Sequence, residues 1–242
     1  MLGEGGVTDL KPWGRWATLG LGVIALFGGQ IVALTALVWW YNLSLARLSD
    51  LTVDGVLVSL SLYIGTAIQV ALLVLMTRKR GAGTAAYLGL TLPRKRDLIL
   101  GIITVIVFTA AADAIGKLFT DDVVTQFQLD IYRTAKAAGW LPWLGLALIV
   151  VAPIGEETLF RGFLFRGWYR LDRDTWFAII ATALLWALLH VQYNLYLMAQ
   201  IFLYGLMLGW FRWKSGSTIL TILLHSLVNF EGVVGTVIAV HS

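Results

Sequence analysis

Long apolar runs alternate with short polar segments along the whole 242-residue chain. A helix that crosses a lipid bilayer needs about 20 consecutive apolar residues. Runs of that kind have the approximate limits 16–40, 55–76, 98–118, 140–162, 175–193, 195–212 and 217–240. The last run also fits one full span followed by a short eighth helix, broken near Gly232 and Gly235. The pattern predicts an all-α, polytopic transmembrane helical bundle of seven to eight spans with no β-sheet.

The composition supports this interpretation. Hydrophobic residues make up 59% of the chain and charged residues 13%, whereas a soluble domain has nearer 25% charged residues. The first apolar run is too long for a signal-peptide core and has no small-residue cleavage site, so we expect it to remain as a membrane anchor. The chain has no cysteine, which excludes disulfide bonds and thiolate chemistry.

The basic residues indicate an orientation. Of the 18 Lys and Arg residues, 14 fall on one side of the predicted spans: Lys11, Arg15, Arg78, Lys79, Arg80, Arg94, Lys95, Arg96, Arg161, Arg166, Arg170, Arg173, Arg212 and Lys214. The other side has Arg47, Lys117, Arg133 and Lys136. Cytoplasmic loops carry the excess of positive charge, so we expect a cytoplasmic N-terminus. These charges flank spans and do not line one face, so the sequence does not indicate a nucleic-acid partner.

Ionisable side chains interrupt three of the predicted spans. Glu156 and Glu157 stand next to each other with Arg161 four residues on, and His190 and His225 each follow an apolar stretch. Such groups cost roughly 2.5–3.5 kcal/mol each on membrane-insertion scales, so they usually mark function. The pattern therefore indicates a catalytic site within the membrane.

Helical spacing suggests a division of roles. Glu157 and Arg161 are neighbours on one helix face and can pair, either as part of a site or as a purely structural contact. Glu156 points about 100° away from Glu157, which leaves it free to act on water. His225 and Asn229 also share a face, so both side chains can converge on one point. A helical hairpin brings Glu156 and His190 to the same depth.

Amide hydrolysis by activated water is the chemistry that this set favours. A partly buried carboxylate can take a proton from water, and a histidine beside it can orient that water. A second histidine with an amide donor can stabilise the oxyanion of the intermediate. Glu156, His190 and His225 could instead supply three ligands to a catalytic zinc ion. The His-Glu-x-x-His pattern of metalloproteases, however, is missing from the sequence.

Three motifs occur in order: Glu-Glu-x-x-x-Arg from Glu156, aromatic-x-x-x-His from Trp186, and His-x-x-x-Asn from His225. Together they resemble the CPBP family of CAAX prenyl proteases and bacteriocin-processing enzymes, also called the Abi family. The resemblance covers about residues 140–232. Trp186 stands where the family usually has phenylalanine, so we expect a changed pocket shape.

The resemblance implies an intramembrane endopeptidase whose cavity opens toward the cytoplasm. By position, Glu156 would be the general base and His190 its water-positioning partner. Glu157 and Arg161 would complete the first motif, and His225 and Asn229 would form the oxyanion site. We expect Trp186, Phe160 and Asn194 to line the substrate pocket. The resemblance favours a glutamate mechanism with no metal cofactor; a zinc-dependent version of the same protease is the alternative.

These interpretations predict an integral protein of the bacterial inner (plasma) membrane. The predicted organisation is a cytoplasmic N-terminus at 1–15, N-terminal spans at 16–139 with a basic loop at 77–97, and a catalytic helical core at 140–242. The expected partners are bilayer lipids and a membrane-associated peptide or lipidated protein substrate. A non-catalytic scaffold or bacteriocin-immunity protein is one alternative. Another is a transporter in which Asp113 joins Glu156 and the histidines in a proton relay.

Overall fold

A computed structural model describes residues 11–44, 47, 50–81, 83–116 and 124–241. Residues 1–10 of the predicted N-terminal segment and Lys117 of the charge count lie outside these residues. The described helices are α1 Arg15–Trp40, α2 Asp50–Val53, α3 Gly55–Thr77, α4 Thr84–Leu88, α5 Lys95–Gly116, α6 Gln126–Ala137, α7 Leu141–Trp168, α8 Thr175–Leu188, α9 Leu195–Ser215 and α10 Thr218–His241. The described residues contain no β-strand, and the predicted all-α fold is confirmed.

The predicted number of spans is slightly too high. Six of the described helices are long and apolar enough to cross a membrane: α1, α3, α5, α7, α9 and α10. The predicted span at 175–193 contains only the 14-residue α8. Such a helix is about 21 Å long, whereas the hydrocarbon core is about 30 Å thick. At the other end of the chain, α10 runs unbroken past Gly232 and Gly235, so no eighth helix forms there.

Helix α8 stops early because its last turn tightens and a new helix is capped soon afterwards. The backbone N–H groups of Leu189 and His190 each bond to a carbonyl three residues back, which closes the helix. Asn194 then accepts a hydrogen bond from Leu197 N at 2.9 Å and caps α9. The overall hydropathy of residues 175–193 suggested a longer helix, but hydropathy does not report these contacts at the end of α8.

Helix α7 is the most buried of the six spans. Two stretches of it are π-helical, Ala147–Val151 and Thr158–Leu164. The first precedes Pro153, whose ring has no N–H to donate to the preceding turn, so a wider turn is accommodated there. π-Turns often occur at functional sites, and the two glutamates lie between these two stretches.

Close helix crossings hold α7 in the centre of the bundle. Helices α1 and α3 approach so closely that a Cβ atom on Gly29 would lie 2.6 Å from the Gly65 carbonyl oxygen. Small residues at such crossings let backbones pack tightly in a membrane. The main core then joins side chains of α1, α3, α4, α5, α7, α8, α9 and α10, among them Ala25, Leu73, Leu88, Val105, Phe163, Ile179, Leu208 and Leu224.

The connections gather at two ends of the bundle. We name one the basic end, and its connections are 78–81, 83–94, 169–174 and 216–217. At this end Arg170 donates a hydrogen bond of 2.6 Å to the Trp13 carbonyl. We name the other the opposite end; it has α2, α6 and the turn 189–194. A hydrogen bond of 2.8 Å from Gly55 N to Thr134 Oγ1 ties α3 to α6 there. Which end faces the cytoplasm stays a prediction.

Candidate active site

A buried ion pair lies at the centre of α7. The Arg161 guanidinium donates to Glu157 Oε1 at 2.7 Å, and both side chains are 0% exposed. Arg161 also donates to the Gly205 carbonyl of α9 at 3.1 Å. A Cβ atom on Gly205 would lie 3.3 Å from the Arg161 nitrogen and 2.8 Å from the Ala183 side chain. Glycine at this position therefore lets α8 and α9 close around the pair.

His225 of α10 contacts both glutamates. Its Nδ1 lies 3.1 Å from Glu157 Oε1, and its Nε2 lies 3.9 Å from Glu156 Oε2. The Thr221 side chain, one turn earlier on α10, is also buried near Glu157. Its hydroxyl donates to the Thr218 carbonyl, and Glu157 Oε2 accepts no hydrogen bond from the described residues. The histidine ring therefore links the buried carboxylate to the more exposed one.

Trp186 of α8 touches most of the motif residues. Its indole N–H donates to Glu156 Oε2. Its ring centre lies 5.5 Å from that of His190 and 5.0 Å from that of His225, both edge to face. The Arg161 guanidinium lies 4.7 Å from the same ring, within the range of a cation–π contact. Phenylalanine could make the ring contacts but could not donate to Glu156.

His190 is oriented by the helix end it follows. Its Nδ1 lies 2.8 Å from the Trp186 carbonyl oxygen. A carbonyl can only accept, so this contact requires a proton on Nδ1 and leaves Nε2 as an acceptor in the neutral ring. Tyr193 stacks on the imidazole at 6.0 Å between ring centres. Burial, with a further contribution from Glu156, raises the pKa of Tyr193 to about 12, so its phenol stays protonated near neutral pH.

Asn229 and Asn194 are held in different ways. Asn229 Nδ2 donates to the Leu148 carbonyl at 2.8 Å, within the π-helical stretch Ala147–Val151. An amide nitrogen carries two hydrogens, so a second donor remains. Asn194 caps α9 through its side-chain oxygen. Phe160 is 2% exposed and is part of the main core.

The structure thus brings Glu156, Glu157, Arg161, Trp186 and His225 into one contacting cluster. His190 joins it through Trp186, and Asn229 is bonded to the carbonyl of Leu148 on α7, eight residues before Glu156. The sequence interpretation missed Tyr193 and Thr221, although Tyr193 comes three residues after His190 and Thr221 four before His225. The spacing of Gly205 and Gly209 predicted a helix-packing surface, and Gly205 packs against Ala183 of α8.

A second polar group lies apart from this cluster. Tyr204 of α9 and Thr109 of α5 share a buried hydrogen bond of 2.6 Å. Glu231 of α10 lies within reach of Thr109, and Asp113 lies near enough to Glu231 to interact with it electrostatically. Asp113, a residue of the transporter alternative, therefore interacts electrostatically with Tyr204 of α9 and Glu231 of α10.

The acidic and histidine side chains of the site bear on whether it could hold a metal ion. Within the described residues, no three His, Asp or Glu side chains are grouped so that they could hold a metal ion. The contacts of His190 Nδ1 with a carbonyl and of Glu156 Oε2 with the Trp186 indole leave His190 Nε2 and Glu156 Oε1 without those partners. Whether the reaction depends on a metal therefore stays a prediction.

Comparisons with known proteins point to one family. The model of the type II CAAX prenyl endopeptidase Rce1-like family matches residues 138–230. An uncharacterized 24.3 kDa protein of Escherichia coli is 40% identical over 84 residues, which are 33% of this chain and 38% of that protein. The chain thus spans well under half the length of this curated relative. No solved structure matches the chain significantly. The ordered motifs, the helical membrane fold and this match over residues 138–230, which is less than half of the chain, agree in their resemblance to the CPBP family of membrane proteases.

Proposed function

We propose that the protein is an intramembrane endopeptidase that hydrolyses peptide bonds of membrane-associated substrates with water activated by Glu156. The contrast between the two adjacent glutamates carries this proposal. Arg161 neutralises Glu157 in the core, while the Glu156 side chain is 29% exposed and lies beside His225. The cluster therefore offers one carboxylate that water and a peptide can reach.

The reaction follows from the roles of these atoms. Glu156 takes a proton from water, and the oxygen attacks the carbonyl carbon of the scissile peptide. His190 Nε2 accepts a hydrogen bond from that water, while the second N–H of Asn229 and a ring N–H of His225 stabilise the developing oxyanion. The C–N bond then breaks as the protonated Glu156 returns its proton to the leaving nitrogen. The products are a carboxylic acid and an amine.

The ion pair beside Glu156 supplies rigidity for these steps. Glu157 and Arg161 fix the position of His225, and Trp186 holds one Glu156 oxygen. Reacting groups must stay close to their productive positions, so a buried support of this kind favours catalysis. We infer that Glu157 and Arg161 hold the neighbouring side chains in position, whereas Glu156 takes part directly in the reaction.

The family match extends the proposal to the substrate. The matching family is described as CAAX prenyl endopeptidases, so a peptide with a lipidated cysteine near its carboxyl terminus is the first substrate to test. We further propose that the reaction needs no metal cofactor. Exhaustive treatment with EDTA or phenanthroline should leave turnover nearly intact; loss of turnover that zinc restores would contradict this point.

The test uses the full chain in proteoliposomes with a farnesylated Cys-aliphatic-aliphatic-X peptide and its unlipidated twin, with products identified by mass spectrometry. Glu156→Gln keeps the shape of the side chain and removes the base, so cleavage should fall to background. Glu231→Gln changes another carboxylate within the membrane and should leave cleavage unchanged. Cleavage by Glu156→Gln at the wild-type rate would overturn the mechanism, and no cleavage by the wild-type protein would favour a scaffold.

A further inference from the structure

Two arginines near the basic end of the bundle have no acidic partner. Arg166 lies on the last turn of α7, and Arg212 lies on the last turn of α9. Their guanidinium groups are close enough to repel each other. Among the described residues neither forms an ion pair, whereas Arg161, earlier on α7, is paired with Glu157. No described carboxylate therefore balances the charges of Arg166 and Arg212.

Backbone and aromatic contacts hold the Arg212 guanidinium in place. Its Nε donates to the Arg161 carbonyl at 2.9 Å, and its Cζ lies 5.5 Å from the centre of the Phe165 ring. On another side, a Cβ atom on Gly89 would lie 2.7 Å from the Arg212 Cζ, so glycine lets the chain pass this close. Arg212 is 7% exposed, and its two Nη nitrogens donate to no described residue. Four N–H groups are thus fixed in position without a described acceptor.

Arg166 adds further donors beside Arg212. Its Nε is buried, and its side chain donates to no described residue. Arg166 as a whole is partly exposed, so a ligand at the surface of the bundle can reach its guanidinium. Buried polar groups in proteins usually have a hydrogen-bond partner, so a donor without one is a sign of a ligand site.

Two phenol groups lie beside the arginines and stay neutral. Tyr87 and Tyr169 lie within electrostatic range of Arg166, and Tyr169 also lies within range of Arg212. Burial raises the pKa of Tyr87, and burial together with a hydrogen bond to Asp172 raises the pKa of Tyr169. An unperturbed tyrosine has a pKa of about 10, so both phenols are protonated near neutral pH. They therefore leave the positive charge of the two arginines unbalanced.

The position of the arginines along their helices places them at the level of lipid headgroups. Arg166 and Arg212 lie two and three residues before the ends of α7 and α9, which is about 3–5 Å from those ends. Trp168 and Trp213 lie at the same ends, and tryptophan is enriched where a membrane meets water. Basic pockets between spans at this level bind the headgroups of anionic lipids.

We propose that Arg166 and Arg212 bind the phosphate group of an anionic phospholipid between the ends of α7 and α9. A guanidinium presents its N–H groups in one plane and can bond to two phosphate oxygens at once. The phosphate also relieves the repulsion between the two cations, since a buried charge without a partner is costly. The bound headgroup links α7 to α9 and so stabilises the bundle. This site is separate from Glu156 and does not depend on the proposed protease activity.

Thermal unfolding of the full chain tests the site. The protein is delipidated in detergent and then mixed with phosphatidylglycerol, with phosphatidylcholine, or with inorganic phosphate at matched ionic strength. Phosphatidylglycerol should raise the melting temperature by roughly 5–10 °C at about a hundredfold excess over its dissociation constant. Phosphatidylcholine, whose phosphate is balanced by choline, and inorganic phosphate should each raise it far less. An equal rise with inorganic phosphate would overturn the lipid as the ligand, and no rise with phosphatidylglycerol would overturn the site.

Arg166→Gln assigns the effect to these residues, because the Arg166 side chain donates to no described residue that the substitution would leave unbonded. In phosphatidylcholine this variant should melt at or above wild type, since one of two repelling charges is gone. Phosphatidylglycerol should no longer raise its melting temperature. Arg94→Gln removes an exposed cation at the same end and should keep the full rise. A full rise in Arg166→Gln, or an equal loss of stability in both lipids, would contradict the proposal.

Native mass spectrometry of the wild-type protein tests the site without any substitution. Phosphatidylglycerol should stay bound at collision energies that remove phosphatidylcholine, because only the anionic headgroup neutralises the two guanidinium groups. Release of both lipids at the same collision energy would overturn the proposal.

Discussion

Two neighbouring carboxylates on α7 have opposite surroundings. Glu157 is fully buried and is bonded to Arg161 and His225. Glu156, one residue earlier, is 29% exposed on its side chain and is held by the Trp186 indole beside His225. A rotation of about 100° between successive helical positions is enough to place one carboxylate within the core and the next where it is partly exposed.

The contrast between Glu156 and Glu157 indicates how a membrane helix bundle can accommodate two adjacent carboxylates. A buried charge is tolerated when an opposite charge and hydrogen bonds accompany it, and Glu157 has both. The ion pair and His225 then form a rigid support on which Glu156 can remain accessible. One glutamate is held in the core by an opposite charge, and its neighbour is the carboxylate to which the proposed function assigns the activation of water.

Loss of the buried charge should have the largest effect on stability. Glu157→Gln leaves the Arg161 guanidinium buried without a carboxylate, so we expect a loss of about 3–5 kcal/mol of folding stability together with loss of cleavage. Glu156→Gln removes the charge of a partly exposed side chain that has no buried counter-ion of its own, so this variant should melt closer to wild type. Thermal unfolding in detergent measures both variants. Equal melting temperatures for the two would contradict the assignment of different roles to the glutamates.

Two asparagines allow a comparison between a residue of the proposed reaction and a structural residue. If Asn229 donates to the oxyanion, Asn229→Ala should lower kcat by about 10²–10³ and leave KM near wild type. Asn194 caps α9 outside the reacting group, so Asn194→Ala should lower stability by about 0.5–2 kcal/mol with kcat retained. Steady-state kinetics and melting curves separate the two effects. An unchanged kcat in Asn229→Ala would show that Asn229 does not stabilise the oxyanion. Its role would then be structural, through its bond with Leu148.

A smaller effect is expected for the indole that holds Glu156. Trp186→Phe keeps the aromatic contacts and removes one N–H donor to a charged acceptor, a bond worth about 1.5–3 kcal/mol. We expect kcat to fall by roughly tenfold with KM unchanged, since only the position of Glu156 alters. Trp168→Phe removes an indole N–H bonded to the Arg15 carbonyl and should affect stability alone. A rise in KM without loss of kcat would make Trp186 a pocket residue.

The sequence predicted the class of fold and the residue types of the site, because hydropathy and i, i+4 spacing are local properties. It did not predict where α8 ends, because that depends on backbone bonds at Leu189 and His190. The sequence also could not predict the contact between His225 and Glu157. That contact depends on the axial position of α10 relative to α7, which is a tertiary property. The indole bond of Trp186 depends on side-chain direction and not on spacing alone.

The smallest effect concerns an ion pair at the basic end. Arg15 and Asp174 lie 2.6 Å apart, yet their side chains are 48% and 11% exposed, against 0% for Arg161 and Glu157 at 2.7 Å. Partial desolvation raises the pKa of Asp174, but the hydrogen bonds from Arg15 and from the Leu171 backbone outweigh it and leave the pKa below its ordinary value. A lowered pKa means that the stabilisation is complete above the unfolded-state value of about 3.9 and is lost as the pH falls through the folded-state value.

Asp174→Asn should therefore melt slightly below wild type near neutral pH, and the difference should vanish as the pH falls below about 4. The expected difference at neutral pH is far smaller than that of Glu157→Gln, because solvent screens exposed pairs. Melting curves over a pH series measure it, with Asp172→Asn as the matched exposed control. A destabilisation as large as that of Glu157→Gln would show that the distance between the charges, and not their burial, sets the strength of the pair. A difference that persists in acid would assign the Asp174 effect to the neutral hydrogen bond with Leu171.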